Sequence, residues 1–296
     1  MLLHDLKKKG LIQPPPYLPD NTHYLTLMGS VAYGVSSDTS DSDVYGFCVP
    51  HKDMVFPHLR GEIMGFGRQK ERFEQWQQHH VKDESARKEY DFSVYNIVKY
   101  FHLCMENNPN MVDSLFTPRR CVLHTTQIGE RVREHRKLFL HRGAFPKFKG
   151  YAYAQMNAIG KRNTTNPKRM ELVEKFGYDT KFAYHVVRLA NECEQILDLH
   201  DLDLEANREQ LKSIRRGEWT LDELKDWFTK KEKHLEDLNA KSTLRNRPDE
   251  EAIKALLLEC LEMHYGSLSE AIRIDPDIEA MARDLREVLN RYVPQP

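Results

Sequence analysis

Residues 23–49, HYLTLMGSVAYGVSSDTSDSDVYGFCV, bring two chemically active features close together. Asp41 and Asp43 are two residues apart at the start of an apolar run, and Gly29 of the Gly29-Ser30 pair lies twelve residues before Asp41. Alternate residues of a strand share a face, so the two aspartates point the same way. Neighbouring carboxylates repel each other, and a fold that keeps them at the mouth of a sheet does so mainly to hold cations. Their oxygen-only ligand set suits Mg²⁺ or Mn²⁺. The Gly29-Ser30 turn offers backbone N–H groups and a hydroxyl to a phosphate, with glycine allowing close approach. A metal beside a phosphate cradle is the chemistry of nucleotides. An Asp-Ser-rich turn that merely solvates a loop is the plainer alternative, and the flanking apolar runs weigh against it.

The elements that must position these residues are two strands, an apolar run at 24–28 and a second at 44–49. Before them, residues 1–20 read as a short helix or arm that ends in the extended segment Pro14-Pro15-Pro16. Residues 51–88 are charged and rich in Gln and His, and predict irregular structure with short elements at most. A strand-like pattern resumes at Glu89–Phe92. Ser93 then fits an N-cap, and Val94, Ile97, Val98, Phe101, Cys104 and Met105 keep helical spacing until Asn107-Asn108-Pro109. From about 143 onward the pattern is helical. Thr220 and Glu223 form a capping-box pattern, Pro248-Asp249 precedes an apolar-periodic run, and Asp275-Pro276 starts a last helix. The fold class expected is α+β: a small mixed sheet flanked by helices over 1–142, and an all-helical domain over 143–296.

Lys and Arg number 44 and Asp and Glu 45, so a whole-chain argument for polyanion binding fails and any basic surface is local. Residues 131–175 supply one, with twelve Lys or Arg against three Glu and interleaved Phe139, Phe145, Phe148, Tyr151 and Tyr153. Such a mixture favours nucleic acid, with cations on phosphates and rings on bases, and Lys147 and Lys149 are its first candidates. An ordinary helical surface over core aromatics is the competing reading. Lys181, His185 and Arg188 fall at i, i+4 and i+7 of one helix and form a basic stripe beside its apolar face, a placement that suits a cleft wall. Five scattered cysteines without C-x-x-C indicate neither a disulfide framework nor a zinc ribbon. His79-His80 and the pair His51 and His58 lack strong zinc spacing and read as surface or loop histidines. Neither a signal peptide nor a membrane span is visible, so a reducing cytosol is the simplest compartment.

Gly29-Ser30, the spacer and Asp41-x-Asp43 resemble the signature of the DNA polymerase β-type nucleotidyltransferase superfamily. The longer string GSVAYGVSSDTSDSDVYGF is similar to a narrower group, the YcgL-type predicted nucleotidyltransferases that include the RlaP family linked to RNA repair. Asn108-Pro109-Asn110, Gly177-Tyr178-Asp179-Thr180-Lys181 with His185 and Arg188, and Arg247-Pro248-Asp249 extend the likeness over most of the chain. The resemblance implies that Asp41 and Asp43 hold two divalent ions together with a third carboxylate from a neighbouring strand. Asp91 stands where that residue belongs, and Glu89 is its competitor. It also implies that Gly29 and Ser30 contact the β and γ phosphates of an NTP, and that the 181–188 helix serves the triphosphate or the acceptor. The expected reaction is transfer of an NMP from an NTP to a hydroxyl, with an RNA end favoured as acceptor. A protein side chain, a small molecule or a second nucleotide remain as acceptors, and a catalytically silent nucleotide- or RNA-binding module is the reading from another class.

Overall fold

A computed structural model describes residues 1–36, 42–67, 69, 72–159 and 167–266. The first element is α1, Leu2–Lys8, and the two expected strands are β1, Thr22–Leu27, and β2, Ser42–Cys48. A short helix α2, Lys52–Val55, follows, then β3, Gln75–Asp83, and β4, Lys88–Asn96. Next come α3, Ile97–Met105, α4, Pro109–Phe116, and β5, Val122–Thr125. The remainder is helical: α5, Gln127–Glu134; α6, Ala144–Ile159; α7, Pro167–Phe176; α8, Thr180–Leu199; α9, Arg208–Arg215; α10, Leu221–Lys241; and α11, Glu250–Tyr265. The α+β class expected from the sequence is the class observed. The helix expected at Asp275-Pro276 lies outside the described residues.

The strands form one mixed sheet in the order β3-β4-β2-β1-β5, in which β2 and β4 run parallel and the other neighbours antiparallel. Period-two alternation gives the sheet two apolar faces. Leu25, Val44, Cys48, Phe92 and Val94 pack against Leu3, Leu6, Ile12 and Leu18 of the N-terminal arm. Tyr24, Phe47 and Tyr95 face the helices, in a core that continues through Tyr100, Leu115 and Phe139 to Val186, Leu189 and Cys260. Burying each such large side chain contributes ~1.5–3 kcal/mol. Side-chain caps open three of the C-terminal helices, and the Thr220–Glu223 box is the one the sequence announces in full. Asp179 accepts from the N–H groups of Lys181 and Phe182 at 2.8 and 3.2 Å, the Thr220–Glu223 capping box is closed, and Asp249 accepts from Ala252 N–H at 3.2 Å.

Two sequence expectations are corrected. The region 51–88 contains a nine-residue strand, β3, whose residues read as loop because it is a sheet edge with polar Gln75, Gln77 and His79 exposed. Ser93 does not cap a helix. Strand β4 runs three residues further, held by pairing with β2 as far as Cys48↔Asn96, and Asn96 caps α3 by accepting from Val98 N–H at 3.0 Å. Sheet pairing overrides the helical spacing of Val94.

The five cysteines are buried free thiols. On β1, next to the edge strand β5, His23 hydrogen-bonds Thr126 Oγ1 at 2.8 Å and His264 of α11 at 2.9 Å. Burial, then the neighbouring His264 and His124, holds the His23 imidazole down from 6.5 to about 4. The unfolded chain takes up that proton near 6.5, so the contribution is complete above 6.5 and is lost as pH falls toward 4, a difference worth up to ~3 kcal/mol. The urea midpoint is expected to drop between about pH 7 and about pH 5, and His23→Gln to flatten that drop. An unchanged pH profile in the variant removes His23 as its origin.

Candidate active site

Gly29 and Ser30 open a single 3-10 turn, Gly29–Val31, directly after β1. Gly29 has φ +66°, a conformation that L side chains rarely adopt, and a Cβ there would overlap Oδ2 of Asp43. The turn and the carboxylate are therefore in contact, and glycine is required for two separate reasons. Met28 N–H donates to the Asp43 carbonyl at 2.8 Å and fixes this approach.

Asp43 pairs in register with Asp91 across the parallel β2–β4 ladder, so the two carboxylates stand on one face of the sheet. The register places Asp91, and not Glu89, opposite Asp43. Glu89 lies two residues away and pairs with His80 Nδ1 at 2.9 Å. Burial, then Tyr95, Asp43 and Asp91, push the Tyr45 phenol well above its usual range, which places it within the field of both carboxylates. Asp41 lies outside the described residues. Among the described residues no three His, Cys, Asp or Glu side chains form a ready metal cage. The pair Asp43 and Asp91 fits Mg²⁺ or Mn²⁺ by donor type, since both supply hard oxygens, and the missing Cβ of Gly29 gives the Asp43 carboxylate its room.

The backbone after the turn is gripped from three directions. Arg120 donates to Val31 O at 3.2 and 3.3 Å and is itself held by Glu205 at 2.6 Å. Arg215, at the end of α9, donates to Val35 O at 2.7 Å. Tyr33 is buried, and its hydroxyl donates to Asp113 Oδ2 at 2.8 Å. Arg188 of α8 completes that contact. Its Nη1 donates to the Tyr33 hydroxyl at 2.6 Å, to Asp113, and to both Glu192 oxygens at 3.2 Å. Arg188 is 5% exposed, so its guanidinium stands behind the turn and inside the core.

The rest of the basic stripe lies nearer the surface. Lys181 is exposed and His185 is half-buried, its ring 4.2 Å from that of Tyr184. Burial first, then Arg188, Lys181, Arg169 and Arg215, push the His185 imidazole well below its usual range, so it is neutral at physiological pH. Arg169 of α7 lies 4.0 Å over the Phe182 ring, and Arg215 lies 5.6 Å from the Tyr184 ring. Sequence spacing missed Arg120 and Arg215, which hold the turn's backbone, and Arg169, which packs on α8, because each comes from a separate element.

Lys147 and Lys149 project from α6 and engage carboxylates. Lys147 pairs with Glu106 at 3.4 Å, and Lys149 with Glu232 at 2.6 Å and Glu236 at 3.1 Å. Of the interleaved rings, Phe139 and Phe148 are core, whereas Tyr151 and Tyr153 are more than a third exposed.

A mixed sheet with a Gly-Ser turn against a strand-borne carboxylate, and a basic helix beside it, is the arrangement that the resemblance to DNA polymerase β-type nucleotidyltransferases implies. The chain belongs to RlaP, the RNA repair pathway DNA polymerase beta family, whose family model matches residues 17–259. No curated protein matches the chain in sequence. Among the described residues, no helix is long and apolar enough to cross a membrane.

Proposed function

We propose that this nucleotidyltransferase moves an NMP from an NTP onto the hydroxyl of an RNA end and releases pyrophosphate. The observation that carries the reading is the in-register Asp43–Asp91 pair with Asp43 pressed against the turn glycine, which joins a cation site to a phosphate site. Residues up to about 142 supply this centre and the later helices close its phosphate side. Asp41, Asp43 and Asp91 would hold two divalent ions, Mg²⁺ or Mn²⁺, whose chemistry is to neutralise the triphosphate and leaving pyrophosphate and to acidify the acceptor hydroxyl.

The chain's own groups then divide the remaining work. The Gly29 and Ser30 N–H groups and the Ser30 hydroxyl bind the β and γ phosphates. Lys181, with Arg169 and Arg215 on neighbouring helices, supplies positive charge to them. Neutral His185 offers a hydrogen bond and adds no charge. Arg188, Arg120 and Arg215 hold the turn still, so the phosphates meet a preformed cradle. For the acceptor, the basic segment 131–175, with exposed Tyr151 and Tyr153, and the family's place in RNA repair both favour RNA. Lys147 and Lys149 are the cations proposed to exchange their Glu partners for RNA phosphates.

Purified protein with Mg²⁺ or Mn²⁺, each α-labelled NTP in turn and total cellular RNA is expected to place label on RNA. Binding to that RNA should weaken as salt rises, through counterion release. Label on protein or on a small molecule keeps the transfer chemistry and discards the RNA acceptor. If no label moves, even with cell extract supplied, the non-catalytic nucleotide-binding module replaces the enzyme.

A further inference from the structure

Strand β3 breaks register between Gln78 and Val81, where His79 and His80 together stand opposite the single residue Asp91. Such a two-against-one bulge re-aims side chains and is found beside active sites. His80 adopts φ 55°, an unusual left-handed conformation for a non-glycine residue and a strain that persists only where something holds it. The consequence is specific. The His80 backbone N–H donates to Asp91 Oδ1 at 2.7 Å, and the more than half-exposed His79 places Nδ1 3.6 Å from the same oxygen. One oxygen of Asp91 is thus engaged from the β3 side. Asp91 faces Asp43 across β4 and β2.

We infer that the His79–His80 bulge is a positioning device for Asp91, in which the left-handed backbone of His80 supplies the N–H that fixes one carboxylate oxygen and leaves the other for a divalent ion. This rests on the reading that Asp91 belongs to the carboxylate set. Outer groups that orient a metal-binding carboxylate commonly matter about 10–100-fold in metal affinity or activity. The backbone is proposed to act here, so side-chain chemistry and backbone geometry are separable. Val at position 80 resists φ near +55° because its Cβ is branched, whereas Gly adopts it freely.

The test titrates Mn²⁺ by electron paramagnetic resonance in the presence of an NTP analogue with a non-cleavable α,β bridge, and follows label transfer in parallel. His80→Val is expected to weaken Mn²⁺ binding about tenfold and to lower kcat more than it raises KM, with its melting temperature confirming the fold. His80→Gly is expected to recover most of both losses. If His80→Gly loses as much as His80→Val, the imidazole and not the backbone is at work, and the inference fails. If Asp91→Ala loses Mn²⁺ affinity while His80→Val matches wild type, the inference fails alone. If Asp91→Ala itself keeps wild-type affinity and transfer, the carboxylate reading fails and takes the inference with it.

Discussion

Asp43→Asn is expected to lower label transfer by on the order of 10³-fold while leaving the melting temperature within about 4 °C of wild type, the shift that roughly 1 kcal/mol produces. Asn keeps the shape of Asp and removes the charge. It relieves the repulsion with Asp91, its in-register neighbour, and keeps a side chain of the same size against Gly29. On the proposed reading the chemistry loses a cation ligand at the point where the turn meets the sheet. Gly29→Ala reaches the same place by sterics. Its methyl would overlap Asp43 Oδ2 and would sit on a backbone with φ +66°. The two variants should therefore fail alike in transfer, with the alanine variant also losing stability. Transfer above about a tenth of wild type in Asp43→Asn would place the cation site elsewhere.

The sequence made this corner legible because its signals are local. Gly29-Ser30 follows an apolar run and Asp43 opens another, and both runs became neighbouring antiparallel strands. Glu89 and Asp91 are two residues apart on one strand face, so only register distinguishes them, and register belongs to the pairing of β4 with β2. Edge strand β3 escaped notice for a related reason. A strand with one neighbour and an exposed face carries Gln75, Gln77 and His79 as readily as Val. Its bulge opposite Asp91 has no sequence signature apart from two adjacent histidines.

The basic stripe shows where helical periodicity stops being informative. Lys181 and Arg188 are seven residues apart, nearly two full turns, and so share an azimuth on α8. They also differ by about 10 Å along the axis. Over that distance α8 passes from the rim, where Lys181 is exposed, into the core, where Arg188 is 5% exposed. Azimuth is written in spacing, but depth depends on what the other elements cover. The same limit hid Arg169 and Arg215, whose relation to His185 exists only once α7 and α9 pack against α8.

Arg188→Met is expected to cost ~3–5 kcal/mol of stability near neutral pH, a drop in melting temperature of roughly 10 °C, because it strands two buried carboxyls around a missing cation. Burial already pushes both Asp113 and Glu192 up, and Arg188 is what pulls them back. Without it their folded values rise further above the unfolded ones. The folded variant then binds more protons than the unfolded chain, so its stability grows as pH falls from about 7 toward 5. That trend opposes the one from His23, and the gap between wild type and variant should narrow with acidification. Adding Asp113→Asn and Glu192→Gln removes the stranded charge and should return much of the loss at neutral pH. Transfer should suffer through kcat, since Tyr33 loses one of the two groups that hold its hydroxyl and the turn loosens. A variant with an unchanged melting temperature and a raised KM for NTP would instead put Arg188 on the triphosphate. A gap independent of pH would show that the two carboxyls do not depend on the guanidinium for their charge.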